Sequence, residues 1–432
     1  MSVQVKMPDP KPKPKRNRFR LGPGILVTAA FIGPGTVVTA SKAGALYGPS
    51  LLWAVVFACL TTIVFQETAA RIGIVSGEGL GQAIKKLIHH PALQFAIAAL
   101  IVVAILVGNA AYQTGNILGA ATGVEIAAQS EEAGSMQRWI VGAIGAFAIT
   151  IILINRFSWL QYALTCLVML LSILFFAAAW MSAPSVSEIV SGLIPSIPEG
   201  SLWLLIAVLG TTVVPYNLFL HASLAATLWN DCKTEEEKAD AILASRLDTI
   251  FSVTLGGLVT AAILLSGSTA FAEARAAGNA EASFNGVASI ATQLQPVLGD
   301  PAPWLFGIGL FAAGLTSAIT APIAAAYAAA GCFGWPDKLS DWRLRGTAIV
   351  VVLLGVLAAI LMKGSPQQVI ALAQVANGLL LPVLAIFLVV IANQSELMSR
   401  FVNSKIFNVI AIALIVIILL LAVRQLKGGF GL

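Results

Sequence analysis

Long apolar stretches constrain the fold of this chain more than any other feature of its sequence. About eleven segments of roughly 20 residues are long and apolar enough to cross a bilayer as helices. They are predicted to begin near residues 24, 50, 92, 138, 158, 201, 241, 302, 343, 366 and 404. Hydrophobic residues make up 58% of the chain and charged residues only 10%, which excludes an ordinary soluble protein. The sequence therefore predicts an all-α, polytopic membrane protein.

The segments also predict the domain organisation. Residues 1–20 are polar and rich in Lys, Arg and Pro, so we expect a disordered basic tail with no cleavable signal peptide. No loop in residues 21–425 is long enough to fold separately, which indicates one transmembrane domain. We expect two repeats at about 21–182 and 201–392, followed by a final helix at about 404–425.

Basic residues predict the orientation in the membrane. With the N-terminus in the cytoplasm, nineteen of the 25 Lys and Arg residues fall on the cytoplasmic side, five fall outside, and Lys42 falls within a span. This asymmetry is typical of the positive-inside rule. We therefore expect an integral protein of the cell membrane with a cytoplasmic N-terminus and an external C-terminus. A nucleic-acid partner is not expected, because the basic residues are spread over short loops, and a monomer is plausible.

Two predicted spans are interrupted by proline at bilayer depth. The first contains Gly33-Pro34-Gly35, and the sixth contains Pro215 followed by Tyr216. A simple kink is one interpretation of each break. However, the breaks lie five spans apart, which places them in corresponding positions of two inverted halves. Unwound backbone in a membrane is tolerated where it is buried or lines a cavity, so the pair predicts a midplane binding site and a secondary transporter that works by alternating access.

Several segments resemble the Nramp metal-ion transporters, from about residue 21 to 425. They are GPGILVTAAFIGPGTVVTASKAGALYGPSLLW, QETAARIGIVSGEGL, VPYNLFLHASL, LFAAGLTSAIT, and ALAQVANGLLLP followed by NQSELMSRFVN. The resemblance implies a LeuT-type 5+5 inverted repeat with broken helices 1 and 6. Where the family carries Asp-Pro-Gly-Asn and Met-Pro-His, this chain has Gly33-Pro34-Gly35-Thr36 and Val214-Pro215-Tyr216. The anionic ligand and the soft sulfur ligand of the family are therefore both replaced.

The expected substrate site consists of neutral groups around the two breaks. Its candidate residues are Ala30, Gly33, Thr36, Thr211, Val214, Tyr216 and Gln374. Desolvating a divalent ion into a neutral pocket is costly, so we expect a small neutral or zwitterionic organic substrate, no strong transition-metal binding and no cofactor. The alternatives are a divalent metal-ion transporter, including one for a hard ion such as Mg²⁺, and a non-transporting sensor. An enzyme is not expected, because no segment combines a nucleophile, a base and an orienting group.

Four further residues are candidates for the pathway or its gates: Lys42, Asn109, Tyr112 and His221. The resemblance implies that Asn109 and Tyr112 stand where the family has a proton-relaying Asp and Glu, so proton coupling of the family kind is not expected. His221 keeps the position of a family histidine, and a structural role is favoured over proton transfer. Lys42 is expected to snorkel to the surface or to line the outer vestibule.

Overall fold

The computed structural model describes residues 32–87, 90–129, 135–154, 158–182, 184–336, 338–362 and 364–430. All regular secondary structure in these ranges is helical. Ten stretches among the described residues are long and apolar enough to cross a membrane. The prediction of an all-α polytopic membrane protein is confirmed, whereas the expected tail 1–20 and the start of the first span lie outside the described residues.

The first half of the chain contains five helices of 14 residues or more: α1 (Pro34–Tyr47), α2 (Leu52–Ser76), α3 (Pro91–Ala127), α4 (Ser135–Ile154) and α5 (Ser158–Met181). A short helix, Leu80–Leu87, lies between α2 and α3. Only a four-residue 3-10 turn, Gly48–Leu51, separates α1 from α2. Because this turn is itself apolar, the two helices form one continuous apolar stretch, Pro34–Ser76, and the described residues contain ten such stretches where the sequence predicted eleven.

The second half contains the remaining long helices: α6 (Leu202–Thr212), α7 (Pro215–Leu228), α8 (Glu235–Ala270), α9 (Ala302–Phe333), α10 (Trp342–Leu361), α11 (Pro366–Ala392) and α12 (Lys405–Phe430). Short helical turns fill the connection between α8 and α9. Local sequence explains several of these boundaries. Thr234 caps α8 by accepting a hydrogen bond from the Glu237 amide at 3.2 Å, and the Glu237 carboxylate accepts from the Thr234 amide at 3.1 Å.

Helices α3 and α9 approach each other closely at glycine positions, which have no side chain. A Cβ atom on Gly314 would lie 2.5 Å from the Ala120 amide nitrogen and 2.7 Å from the Asn116 carbonyl oxygen, and one on Gly307 would lie 2.6 Å from the Gly123 carbonyl oxygen. Small residues allow such backbone approach between membrane helices. This contact holds the face of α3 that carries Asn109 and Gln113 against α9, where their side-chain amides donate to the backbone carbonyls of Ala321 and Ala318.

The outer faces of the bundle are apolar and exposed. Large hydrophobic side chains with more than 60% exposure include Trp139 on α4, Trp159 and Trp180 on α5, and Leu420 on α12. In a membrane these faces contact lipid, and their tryptophans suit the interface. By contrast, the segment formed by α6 and α7 is almost completely enclosed by other helices. The breaks therefore lie inside the bundle.

Candidate functional site

The two breaks meet in the interior of the protein. Gly33 precedes α1 with φ −119° and ψ −174°, an extended conformation, and Pro34 is the first helical residue. In the second break, α6 ends at Thr212 and α7 begins at Pro215. The Thr36 and Thr211 hydroxyl oxygens lie 2.8 Å apart, and both side chains are buried. Two candidate residues that are distant in sequence are thus joined by a hydrogen bond between the breaks.

Polar atoms from α3 and α9 converge on Gly33. A Cβ atom added to this glycine would lie 3.1 Å from Ser317 Oγ, 3.6 Å from Tyr112 Oη and 3.9 Å from Asn116 Oδ1. Ser317 and Asn116 were not among the sequence-based site residues. The signal for Asn116 was its spacing of seven residues from Asn109, which places both on one face of α3. Ser317 had no signal beyond its place in the LFAAGLTSAIT segment.

Gln374 reaches the first break from α11. Gly35 permits this approach, because a Cβ atom there would lie 2.5 Å from Gln374 Cδ and 3.0 Å from Gln374 Oε1. The Gln374 amide nitrogen donates weakly to the Ile370 carbonyl at 3.4 Å. Its Oε1 atom is buried and has no hydrogen-bond partner among the described residues, so it can accept a bond or bind a cation.

Two tyrosines fill the side of the site next to α7. The rings of Tyr112 and Tyr216 meet edge-on, with centroids 5.5 Å apart and an interplanar angle of 64°. A cavity beside Tyr216 has a volume of about 10 Å³ for the centre of a water molecule, which is roughly the space of one water. Its polar lining comes from Asn109, Tyr216 and Asn377. In this conformation the cavity is much smaller than the pocket for several heavy atoms that an organic substrate requires.

The groups at the breaks are uncharged. No cluster of three or more His, Cys, Asp or Glu side chains suited to a metal ion occurs in the part of the chain that the structure describes. Val214 is buried and offers only its backbone. Ala30 lies outside the described residues. The site therefore presents hydroxyl and amide oxygens, and any charge on a substrate must be met by these oxygens and by the helix ends.

The pathway candidates occupy separate positions. Asn109 donates from Nδ2 to the Ala321 carbonyl at 3.1 Å and lines the small cavity beside Tyr216. His221 is buried on α7, with Nδ1 2.7 Å from Gln66 Oε1. Lys42 is half-buried on α1, with Nζ 6.0 Å from the centre of the Trp203 ring. The structure thus brings Asn109 and Tyr112 to the site and places His221 against α2.

A buried ionic cluster lies near the end of α2. Arg71 and Glu67 pair at 3.3 Å with side chains only 7% and 5% exposed, and their i, i+4 spacing places them on one face of the helix. Arg246 on α8 also contacts Glu67, at 2.7 Å. Sequence spacing gave no sign of this second pair, because α2 and α8 are separated by more than 150 residues along the chain.

Comparison with known proteins identifies the family. Residues 24–427 match the family described as Natural resistance-associated macrophage protein-like (Nramp). The divalent metal cation transporter MntH of Staphylococcus saprophyticus is 26% identical over 428 residues, which cover 95% of this chain and 92% of that protein. The crystal structure of the Eremococcus coleocola manganese transporter in complex with an aromatic bis-isothiourea substituted compound has a TM-score of 0.72 at 24% identity, covering 95% of this chain and 87% of the other. That of MhsT in complex with L-phenylalanine has a TM-score of 0.59 at 17% identity, covering 94% and 98%, and confirms the LeuT-type fold. The chain therefore belongs to the Nramp family of membrane transporters.

Proposed function

We propose that this Nramp-family transporter carries a hard divalent cation such as Mg²⁺ or Mn²⁺ by alternating access, with the ion held between the two breaks. The observation that carries the proposal is the set of neutral oxygens at the two breaks: the paired Thr36 and Thr211 hydroxyls, and the buried Gln374 Oε1 atom that has no hydrogen-bond partner among the described residues. Such oxygens are the ligands that hard cations prefer. The relative in Staphylococcus saprophyticus is called a divalent metal cation transporter, and that in Eremococcus coleocola a manganese transporter, which supports the same class of cargo.

The oxygens at the breaks are hard ligands. Thr36, Thr211 and Ser317 supply hydroxyls, and Gln374 supplies an amide oxygen. Hard cations prefer oxygen ligands, and Mg²⁺ keeps several of its own waters when it binds. Retained waters reduce the cost of transferring the ion from solution into a site without a carboxylate. The missing thioether removes the preference for softer ions that a methionine sulfur would provide.

The end of α6 supplies the remaining negative potential. Its last carbonyls, around Thr211 and Thr212, have no continuing helix to receive them, because α6 ends at Thr212. The C-terminus of a helix carries a partial negative charge that favours cations. A cation between the breaks therefore meets this helix end as well as the hydroxyl and amide oxygens.

A small neutral or zwitterionic organic substrate is the second candidate. The observation in its favour is the lack of a carboxylate or thioether at Gly33 and Val214. The half-helix that begins at Pro34 or Pro215 would meet the anionic end of such a molecule. The limited space beside Tyr216 weighs against it in the conformation described.

Binding measurements separate the two candidates. We expect titration calorimetry of the purified protein to show saturable Mg²⁺ or Mn²⁺ binding at millimolar concentration, weakened by Thr36→Ala and by Gln374→Ala. Thr39→Ala, one helical turn further along α1, is the matched control and should leave binding unchanged. Binding of an amino acid or another small metabolite that Thr36→Ala abolishes, with no cation effect, would assign the site to an organic substrate.

We further propose that transport depends weakly on a proton gradient. The support is the chemistry of Asn109 and Tyr112, which lie at the site without a carboxylate between them. His221 is bonded to Gln66 inside the protein, in keeping with a structural role. Strong acid-driven uptake in liposomes, lost in His221→Ala, would overturn this proposal and make His221 a proton carrier.

The proposed topology places the N-terminus in the cytoplasm and the C-terminus outside. It rests on the nineteen-to-five distribution of basic residues and on eleven crossings, with repeats at about 21–182 and 201–392. Single cysteines introduced near residues 15 and 430 should react with an impermeant maleimide from opposite sides of the membrane. Labelling of both positions from one side would contradict an odd number of crossings.

A further inference from the structure

An arginine contacts the α1–α2 segment, the continuous stretch Pro34–Ser76, at the end where its two helices join. Arg275, in the connection that follows α8, donates to the Gly44 and Ala45 carbonyls at 3.2 Å each and to the Ser268 carbonyl at 3.0 Å. Gly44 and Ala45 belong to the last turn of α1, and Ser268 belongs to the last turn of α8. A guanidinium suits two helix C-termini, because their free carbonyls and dipoles favour a cation.

A second arginine holds the opposite end of the same segment. Arg71, near the end of α2, donates to the Phe401 carbonyl and to Asn403 Oδ1 at 2.6 Å each. Phe401 and Asn403 lie in the connection between α11 and α12. Glu67 lies beside Arg71 and supplies its counter-charge. The contact therefore joins α2 to a part of the chain that follows the second repeat.

The two arginines act at opposite faces of the membrane. The helix rise places Arg71 roughly 28 Å from the first residue of α2, close to the thickness of the hydrocarbon core. Arg275 contacts the last turn of α1, which the turn Gly48–Leu51 joins to that first residue. The distribution of basic residues assigns the Arg71 end to the cytoplasm and the Arg275 end to the outside. Both arginines hold the segment that begins at the Gly33 break and carries Thr36.

We propose that Arg275 and Arg71 are two latches that close the outer and the cytoplasmic entrance of the site, and that each is released in turn during transport. The outer latch is Arg275 with Gly44, Ala45 and Ser268, and the inner latch is Arg71 with Phe401 and Asn403. A partly opened entrance leaves these buried polar groups without partners, whereas a fully open entrance lets water bind them. Each latch therefore favours a fully closed or a fully open entrance. The proposal rests on alternating access and is independent of the cargo.

A cysteine reporter at the site tests both latches in one assay. Ser317→Cys is introduced into a full-length protein whose native cysteines are replaced by alanine: Cys59, Cys166, Cys232 and Cys332. An impermeant maleimide is applied to reconstituted, oriented vesicles from either side. We expect Arg275→Gln to raise the labelling rate from outside at least fivefold and to lower it from the cytoplasmic side. Arg71→Gln should have the opposite effect.

Further variants keep the outcome interpretable. Arg138→Gln, an exposed arginine, is the matched control and should change neither rate. Asn403→Ala removes one acceptor of the inner latch and should reproduce the direction of Arg71→Gln even if Arg71→Gln folds poorly. One guanidinium nitrogen of Arg275 serves all three carbonyls, so Arg275→Lys, which retains the charge and offers three donors, should shift the labelling rates less than Arg275→Gln.

The same assay distinguishes failure of the latches from failure of alternating access. If the parent reporter is labelled from both sides and the latch variants do not shift the rates in opposite directions, the latch proposal is overturned. If the reporter is labelled from one side only in every variant, alternating access itself fails. Equal increases from both sides would show a loosened bundle and would also overturn the proposal.

Discussion

Gly33→Asp tests the chemistry of the first break most directly. The backbone accepts the change, since Gly33 has an extended conformation that any residue adopts. It is also the N-cap of α1, a position at which Asp is among the preferred residues. The new Cβ atom would lie 3.1 Å from Ser317 Oγ, which requires a small rotation of that side chain. We therefore expect the variant to fold and to place a carboxylate among the site oxygens.

The expected gain follows from the charges. Two unit charges 4 Å apart interact by about 4 kcal/mol at an effective dielectric constant near 20, and a divalent ion doubles this to about 8 kcal/mol. Desolvating the carboxylate costs several kcal/mol. A net gain of about 1.5–3 kcal/mol corresponds to a roughly 10- to 100-fold tighter dissociation constant. Gly33→Asn has nearly the same shape without the charge and is the matched control.

Titration calorimetry with Mn²⁺ near neutral pH provides the measurement, and thermal unfolding of both variants verifies that they are folded. We expect Gly33→Asp to bind Mn²⁺ 10- to 100-fold more tightly than Gly33→Asn. Equal affinities in the two folded variants would refute the reasoning, because a carboxylate at this position would then lie outside the reach of the ion. A lower affinity in Gly33→Asp would refute it as well.

Three further predictions concern stability and its dependence on pH. Gly210→Ala should lower the free energy of unfolding by about 1–3 kcal/mol in thermal or denaturant unfolding, because its Cβ atom would meet the α11 backbone at the Gln374 carbonyl. Glu67→Gln should cost about 3 kcal/mol by the same measurement, since it leaves Arg71 buried without a counter-charge; an unchanged midpoint would contradict this. Asp341 caps α10, and its hydrogen bond from the neighbouring arginine lowers the pKa of its carboxyl group. The melting-temperature difference between the wild type and Asp341→Asn should therefore be present above the unfolded pKa of about 4 and shrink as pH falls below it.

The membrane helices were determined largely by the sequence alone. Predicted starts near residues 50, 302 and 366 compare with helices that begin at Leu52, Ala302 and Pro366. A bilayer demands about 20 apolar residues for each crossing and internal satisfaction of every backbone hydrogen bond, so local composition suffices to locate them. The two breaks could also be located from the sequence, because Pro34 and Pro215 each lack a backbone N–H donor and clash with the preceding helical turn.

The sequence also defined which groups the breaks lack. The resemblance to the family implies a carboxylate and a thioether where this chain has Gly33 and Val214, and folding cannot supply those groups. The sequence could not indicate the volume of the cavity near the breaks. The size of the cavity beside Tyr216 depends on how closely α3, α7 and α11 approach one another, because residues of these three helices line it.

Only the tertiary structure decided which distant side chains meet. Ser317 faces Gly33 across nearly 300 residues, and Arg246 reaches Glu67 from another helix. Helical periodicity defines the face on which a side chain lies, but it does not define the helix that this face contacts. That choice depends on close backbone packing such as that of Gly314 against α3, which is a property of the whole bundle and not of any local segment.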